Sequence, residues 1–372
     1  MRRIKIMKQR NNKTVVLTAG GTGGHIYPAE ALAVELRMKG FEVIFYTDER
    51  GLGNYKGVLS EIENVTIASG SVMGKDLKTK ALSLLKVGIG VLQAMVHMLV
   101  KRPKVVVGFG GYASFPTAMA AVILRIPLII HEQNSVMSRT NRILAPFARW
   151  VAQSFNHVRN TPQSAKTFLS GMPIRGKIAE LNAKEYVSPK AGDKFNTVVL
   201  GGSQGAHIFS EVVPQMLGLL DDNSRKNLRI YQQCRKGEEE EIRNKYHAMG
   251  VDAVVESFFV NMDELYTKAD VMISRSGASS IYEIAAAGVP AILVPLASAA
   301  DNHQYYNAKE LTDANGALLI EQKDFTAENL LKVWRELADN AELRRELSYN
   351  AKRCAIVNAQ VKLAEKIEAI RG

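Results

Sequence analysis

One short phrase occurs twice in this chain of 372 residues, and it dictates the fold. Thr14-Val15-Val16-Leu17 runs into the glycine cluster Gly20-Gly21-Thr22-Gly23-Gly24 and stops at His25. After 183 residues Thr197-Val198-Val199-Leu200 runs into Gly201-Gly202-Ser203-Gln204-Gly205, with His207 close behind. Each copy is a β-branched apolar run of strand length that breaks into a glycine turn. An Ala-rich apolar stretch with Pro28 just inside it follows the first copy, which predicts a helix there. Strand, glycine turn and helix start together cradle anions: glycine lets the backbone come close, and the free N–H groups of the helix start point at the ligand. Two cradles predict two nucleotide-fold halves facing each other.

The rest of the chain keeps that rhythm. Strand-like runs lie at Thr14–Thr18, Glu42–Tyr46, Val65–Ala68, Lys104–Gly108, Leu128–His131 and Trp150–Gln153, then at Thr197–Leu200, Leu228–Gln232, Ala253–Glu256, Asp270–Ser274, Ala291–Val294 and Ala317–Ile320. Helix-length segments such as Pro28–Lys39 and Ser279–Ala287 separate them. This alternation predicts βαβ units and one parallel sheet per half, an α/β architecture. Gly171–Asp193 loses the apolar pattern, carries Pro173 and Pro189, and reads as the linker. Beyond Phe325 only helical pattern remains: Thr326 can cap a helix through Leu337, and Val357–Ile370 reads as a charged amphipathic helix.

Charge divides the chain unevenly. Residues 1–175 hold 24 Lys+Arg against 9 Asp+Glu, and the remainder 24 against 28. A basic half suits an anionic membrane surface or a polyphosphate substrate. Nucleic acid is the weakest partner reading, because no zinc-finger spacing or stacking-aromatic motif accompanies the scattered cations. Two cysteines, Cys234 and Cys354, offer neither a disulfide framework nor metal spacing and fit a reducing compartment. The basic start, Met1–Arg10, lacks the apolar core of a signal peptide. Ala81–Val100 is apolar but interrupted by Lys86, Gln93 and His97, with lysines on both sides. It is marginal for a membrane span and reads better as a helix packed on the first sheet or lying on an anionic bilayer.

Polar clusters follow several strands. The first glycine loop is no dinucleotide fingerprint, since Ile26 stands where the third glycine belongs, and no Gly-Lys-Ser/Thr makes it a Walker loop. What it does offer is His25 at a helix start on the ligand-binding edge of a parallel sheet, where a neutral imidazole can take a proton from an attacking hydroxyl. Gly108–Ser114 and His131-Glu132-Gln133-Asn134 follow two more strands of that half. In the second half Arg275-Ser276-Gly277-Ala278 opens a helix carrying Glu283, a carboxylate placed to grip ribose hydroxyls. Asp301-Asn302-His303-Gln304 then supplies amide and carboxylate groups suited to sugar hydroxyls. No Asp-x-Asp pair occurs, so no metal or other cofactor is expected, and a diphosphate would be held by loop N–H groups and arginines.

Taken in order, Gly20–His25, Gly108–Ser114, His131–Asn134, Gly201–Ala206, Arg275–Ala278 with Glu283, and Asp301–Ala308 resemble the MurG family of UDP-N-acetylglucosamine transferases of peptidoglycan synthesis. The resemblance implies a two-domain GT-B fold of facing Rossmann-like domains whose last helix crosses back to the N-terminal domain. It implies an acceptor-binding, membrane-associating domain over residues 1–175, a linker over 176–194, a UDP-sugar domain over 195–352 and the returning helix over 353–372. It assigns UDP-N-acetylglucosamine to Thr22, Gly23, Gly24, Asn134, Arg175, Ser203, Gln204, Phe259, Ser276, Gly277, Glu283 and Gln304. Among these, Ser203 would meet the diphosphate, Glu283 the ribose, the Phe259 backbone the uracil, and Gln304 the sugar. Gly21, His25, Gly110, Gly111 and Tyr112 fall on the acceptor side, facing undecaprenyl-diphosphate-linked muramyl-pentapeptide, with His25 as the base. The implied location is peripheral, on the cytoplasmic face of a bacterial membrane. Two motifs depart from the family: its Gly-Asn-Pro linker is Gly171-Met172-Pro173 here, and its Phe-Ile-Asp-Asp-Met loop is Phe258-Phe259-Val260-Asn261-Met262. A UDP-sugar 2-epimerase of the same fold and a non-catalytic, membrane-bound UDP-sugar-binding module are the rival readings.

Overall fold

The computed structural model describes residues 13–20, 23–53, 57–70, 76–190, 192–202 and 205–370. The N-terminal half runs β1 (Thr14–Thr18), α1 (Gly23–Met38), β2 (Glu42–Thr47), α2 (Glu49–Gly53), β3 (Glu63–Thr66), α3 (Leu77–Lys101), β4 (Val105–Gly108), α4 (Phe115–Ile123), β5 (Leu128–Glu132), α5 (Arg139–Leu144), β6 (Trp150–Gln153) and β7 (Thr167–Leu169). After α6 (Gly176–Ala179), the second half runs β8 (Phe195–Leu200), α7 (His207–Gly218), α8 (Asp222–Lys226), β9 (Leu228–Gln233), α9 (Glu239–Ala248), β10 (Asp252–Glu256), α10 (Met262–Lys268) and β11 (Val271–Ser274). It ends with α11 (Ala278–Ala287), β12 (Ala291–Leu293), α12 (His303–Thr312), β13 (Leu318–Leu319), α13 (Ala327–Ala338), α14 (Ala341–Cys354) and α15 (Ala359–Glu368).

The named strands pair in parallel throughout, in the orders β3-β2-β1-β4-β5-β6-β7 and β10-β9-β8-β11-β12-β13. The repeated phrase forms β1 and β8, each central in its sheet. Val15, Val16 and Leu17, like Val198 and Val199, are fully buried, as expected of parallel strands covered on both faces. The order reverses between β1 and β4 and again between β8 and β11. Such switch points open a crevice at the carboxyl ends of the strands, and both glycine clusters fall there.

Several boundaries differ from expectation. β3 pairs through Glu63–Thr66 rather than Val65–Ala68, although the Ile67 N–H still reaches Thr47 O at 2.8 Å. β7 was not foreseen; it is a three-residue edge strand. α1 begins at Gly23, so Pro28 lies inside it and leaves the Gly24 carbonyl without its helical donor. The segment after Gly171 is no loose tether: Met172, Ile174, Ile178 and Leu181 are buried in the core.

The last helix crosses back. α15 buries Leu363, Ala364 and Ile367 with Leu32 and Leu36 of α1, and Lys39 pairs with Glu368 at 3.2 Å. Where the chain crosses, Ile356 presses on Gly171. A Cβ on Gly171 would lie 2.5 Å from the Ile356 Cβ, and φ is +79° there, so only glycine fits.

α3 packs Ser83, Ala94 and Met98 into the N-terminal half and turns outward a stripe of Leu82, Leu85, Ile89, Leu92, Val96 and Leu99. By length and composition it is apolar enough to cross a membrane, with a mean hydropathy of 1.7 over its most apolar stretch.

Candidate active site in the interdomain cleft

Three loops meet at the carboxyl edge of the first sheet. Gly20, after β1, donates its N–H to Gly110 O at 3.1 Å, tying the first glycine loop to the one after β4. The His25 ring packs against that junction: a Cβ on Gly111 would stand 3.3 Å from His25 Cδ2, and one on Gly20 3.7 Å. Gly110 and Gly111 hold φ of +81° and +77°, a conformation glycine adopts freely. Burial lowers the His25 pKa, against the opposing effect of the Phe109 carbonyl and the Gln133 side chain, and His303 across the cleft lowers it further. The ring is therefore neutral at neutral pH. Gly21 and Thr22 lie outside the described residues.

The polar run after β5 is a buried hydrogen-bonded knot. His131 Nε2–H donates to Gly171 O at 3.0 Å, and burial pushes its pKa down to about 4. Glu132 is fully buried and pairs with no cation among the described residues; burial raises its pKa, while N–H donors from Asn134 (3.0 Å), Ser138 (2.8 Å) and the Asn141 side chain (2.8 Å) oppose the rise. Glu132 thereby orients Asn134. Gln133 Nε2 donates to Phe109 O at 2.6 Å, which fixes the loop beneath His25.

The second half meets this edge through α11 and α12. A Cβ on Gly24 would lie 3.7 Å from Ser279 Oγ, so the N-terminal turns of α1 and α11 face each other across the cleft. Gly23 and Gly24 open α1, while Gly277 precedes α11 as its N-cap. The Ser276 hydroxyl donates to Gln304 O at 2.8 Å, and Gln304 Oε1 accepts the Leu296 N–H at 3.0 Å. Arg175 and Glu283 are paired: Arg175 donates to both Glu283 oxygens at 2.9 and 3.0 Å, Tyr266 donates to Oε2 at 3.0 Å, and the guanidinium stacks on Tyr27. Phe259 is partly buried against the core. Ser203 and Gln204 lie outside the described residues.

Two buried polar atoms at the cleft, His25 Nδ1 and Ser279 Oγ, have no hydrogen-bond partner among the described residues. For His25 the Phe109 carbonyl and the Gln133 side chain lie close enough to oppose the effect of burial on its pKa. The second copy of the repeat is built differently. His207 sits at the surface with Nδ1 2.9 Å from Glu238, and Arg275 turns inward to the carbonyls of Val294 and Pro295. Arg275 is therefore a structural residue. Among the described residues no group of three His, Cys, Asp or Glu side chains is placed to hold a metal ion.

Sequence reasoning missed two members of the site. Asn307 is fully buried between the halves: its Oδ1 accepts the Ser135 N–H (2.9 Å) and hydroxyl (3.0 Å), and its Nδ2 donates to Asn134 Oδ1 (3.1 Å) and Ser276 O (3.2 Å). Asp48 closes β2 and accepts from the Tyr112 hydroxyl at 3.2 Å. Its signal was present, because a carboxylate directly after a buried strand belongs to the same ligand-binding edge as His25.

Known proteins share this arrangement. Residues 15–153 match the glycosyltransferase family 28 N-terminal domain, and residues 196–367 the glycosyltransferase family 28 C-terminal domain. A UDP-N-acetylglucosamine–N-acetylmuramyl-(pentapeptide) pyrophosphoryl-undecaprenol N-acetylglucosamine transferase of Rhodospirillum rubrum is 40% identical over 95% of this chain and 91% of its own. Its namesake from Rhodospirillum centenum is 43% identical over 85% and 83%. The crystal structure of Acinetobacter baumannii MurG superimposes with a TM-score of 0.76 at 30% identity, covering 96% of this chain and 99% of that one. A Neisseria meningitidis UDP-GlcNAc 2-epimerase shares the fold alone, at 13% identity, a TM-score of 0.65 and coverages of 95% and 99%.

Proposed function

The chain belongs to the MurG family and is a glycosyltransferase, and from that premise we propose that it moves N-acetylglucosamine from UDP-N-acetylglucosamine to the C4 hydroxyl of undecaprenyl-diphosphate-linked muramyl-pentapeptide. The observation that carries the reading is the opposition of two helix starts. His25 lies on α1 and Ser279 on α11, and a Cβ on Gly24 would stand 3.7 Å from Ser279 Oγ across the cleft. The acceptor enters from the N-terminal half, past Gly21, Gly110, Gly111 and Tyr112. UDP is held on the other side by Ser203, Gln204, Ser276, Gly277 and the Phe259 backbone, with Thr22, Gly23 and Gly24 closing over the donor.

His25 takes the proton from the C4 hydroxyl as that oxygen attacks the anomeric carbon, and the bond to UDP breaks on the opposite face. The departing diphosphate gains charge, which the N–H groups of the glycine turn after β8 and of the α11 start oppose. Glu283, steadied by Arg175 and Tyr266, binds the ribose. Asn134 and Gln304 hold the sugar hydroxyls. Contact between the halves excludes water, which would otherwise compete as acceptor.

The exposed stripe of α3 and the basic N-terminal half support a peripheral position on the cytoplasmic face of an anionic membrane, where the lipid acceptor resides. The test of the reaction is UDP release from purified protein and UDP-N-acetylglucosamine, with and without a short-chain lipid-linked acceptor. Release only with acceptor is expected. Sugar isomerised without acceptor favours the epimerase, and UDP bound without turnover favours a binding module.

A further inference from the structure

Beside the acceptor loop stands an arginine that the reaction scheme has not used. Arg50, on α2, stacks its guanidinium 5.0 Å from the centre of the Tyr112 ring, and its Nη2 lies 3.5 Å from Asp48 Oδ2. Asp48 is buried and heavily engaged: Oδ2 accepts from the hydroxyls of Ser69 and Tyr112, each at 3.2 Å, and Oδ1 accepts the Gly51 N–H at 3.0 Å. The carboxylate therefore braces Tyr112 and Arg50 together, with Arg50 at the longer distance. The Arg50 side chain remains 71% exposed. A guanidinium stacked on a ring keeps its N–H edge free in a fixed plane, the form that takes a phosphate through two parallel hydrogen bonds.

Two other arginines at the cleft are committed to carboxylates: Arg142 pairs with Asp301 at 2.6 Å and Arg175 with Glu283 at 2.9 Å. The acceptor's own chemistry supplies the ligand. Its attacking hydroxyl and its diphosphate sit at opposite ends of one pyranose ring. His25 packs on Gly111, Tyr112 is the next residue, and Arg50 stands over the Tyr112 ring, so base and guanidinium flank the same loop. We propose that Arg50, positioned by Tyr112 and Asp48, binds the diphosphate of the acceptor and so sets which acceptor hydroxyl faces His25. This rests on the transferase reading above.

The test combines kinetics with binding. In the full chain, Arg50→Gln should raise the acceptor KM at least tenfold and leave the UDP-N-acetylglucosamine KM within twofold. Arg50→Lys, which keeps the charge but loses the planar fork, should recover part of the loss. Calorimetric titration with farnesyl diphosphate, which carries the diphosphate without the sugar, should show a tenfold weaker Kd for Arg50→Gln than for the parent chain. An unchanged acceptor KM, equal losses for both substrates, or an unchanged farnesyl diphosphate Kd overturns the proposal. If the parent chain shows no acceptor-dependent turnover, the transferase reading fails, and the farnesyl diphosphate titration still decides the diphosphate site.

Discussion

Replacing Asn307 by alanine should uncouple the two halves without unfolding either. The amide is fully buried and uses its whole hydrogen-bonding capacity. Three of its bonds cross the cleft, to the Ser135 N–H, the Ser135 hydroxyl and Asn134 Oδ1; the fourth, to Ser276 O, stays within the second half. A neutral buried hydrogen bond contributes about 1 kcal/mol net, and an abandoned buried donor costs about 1–3 kcal/mol. With the cleft open, water satisfies the abandoned groups, so the loss falls on the closed state and comes to about 2–4 kcal/mol. At 1.4 kcal/mol per factor of ten, kcat/KM should fall about 30- to 700-fold. The one bond within the second half predicts about 1 kcal/mol of lost folding stability. Asn307→Asp, almost isosteric, places an acceptor against Asn134 Oδ1 and Ser276 O and should be at least as damaging. Initial rates of UDP release and urea unfolding, measured on the same preparations, separate the two effects. A kcat/KM within threefold of the parent, or a loss of stability as large as the loss of activity, refutes the coupling argument.

His25→Ala should lower turnover by about 10²- to 10⁴-fold with little change in UDP-sugar binding, the range expected for removal of a general base. Because burial depresses the His25 pKa, the acid limb of kcat/KM in the parent chain should have its midpoint below the ordinary histidine value of about 6.5; a midpoint above it contradicts the assignment. His131 binds a proton more readily unfolded than folded. Stability should therefore start to fall as pH drops through about 6.5 and finish falling below about 4, a loss of up to about 3 kcal/mol that His131→Asn removes from the pH profile of urea unfolding. Leu85→Glu with Leu92→Glu should weaken binding to anionic vesicles while leaving turnover of a water-soluble acceptor intact; undiminished vesicle binding removes α3 from the membrane face.

Much of the fold was legible because parallel strands are buried on both faces and so write unbroken apolar runs. Thr14–Leu17 and Thr197–Leu200 are such runs, and the glycines after them mark the switch points. β7 was illegible for the opposite reason: Thr167–Leu169 is a short, partly exposed edge strand with polar neighbours. The clustering of His25, the Gly110–Tyr112 loop and Asn134 could be read from their places after successive strands. The pairing of Arg175 with Glu283 could not, since it joins residues 108 apart across the domain boundary. Asn307 was visible only as one residue in a polar run; its importance comes from Ser135 and Asn134, which the fold alone brings to it. The Gly171–Asp193 segment read as a tether because Pro173, Pro189 and several lysines break up its apolar residues; the i, i+4, i+7 spacing of Ile174, Ile178 and Leu181 is the helical signal within it, and tertiary packing buries all three together with Met172.

In this mechanism base and leaving group stand on opposite faces of the donor sugar, one in each half of the molecule. The anomeric configuration of the new glycosidic bond, read from the proton coupling constant of the product made by the purified chain, tests it most directly. Transfer from the α-linked donor in a single displacement predicts a β-linked disaccharide. An α-linked product would require a second nucleophile on the donor face and would contradict the assignment of His25 and the facing helix starts.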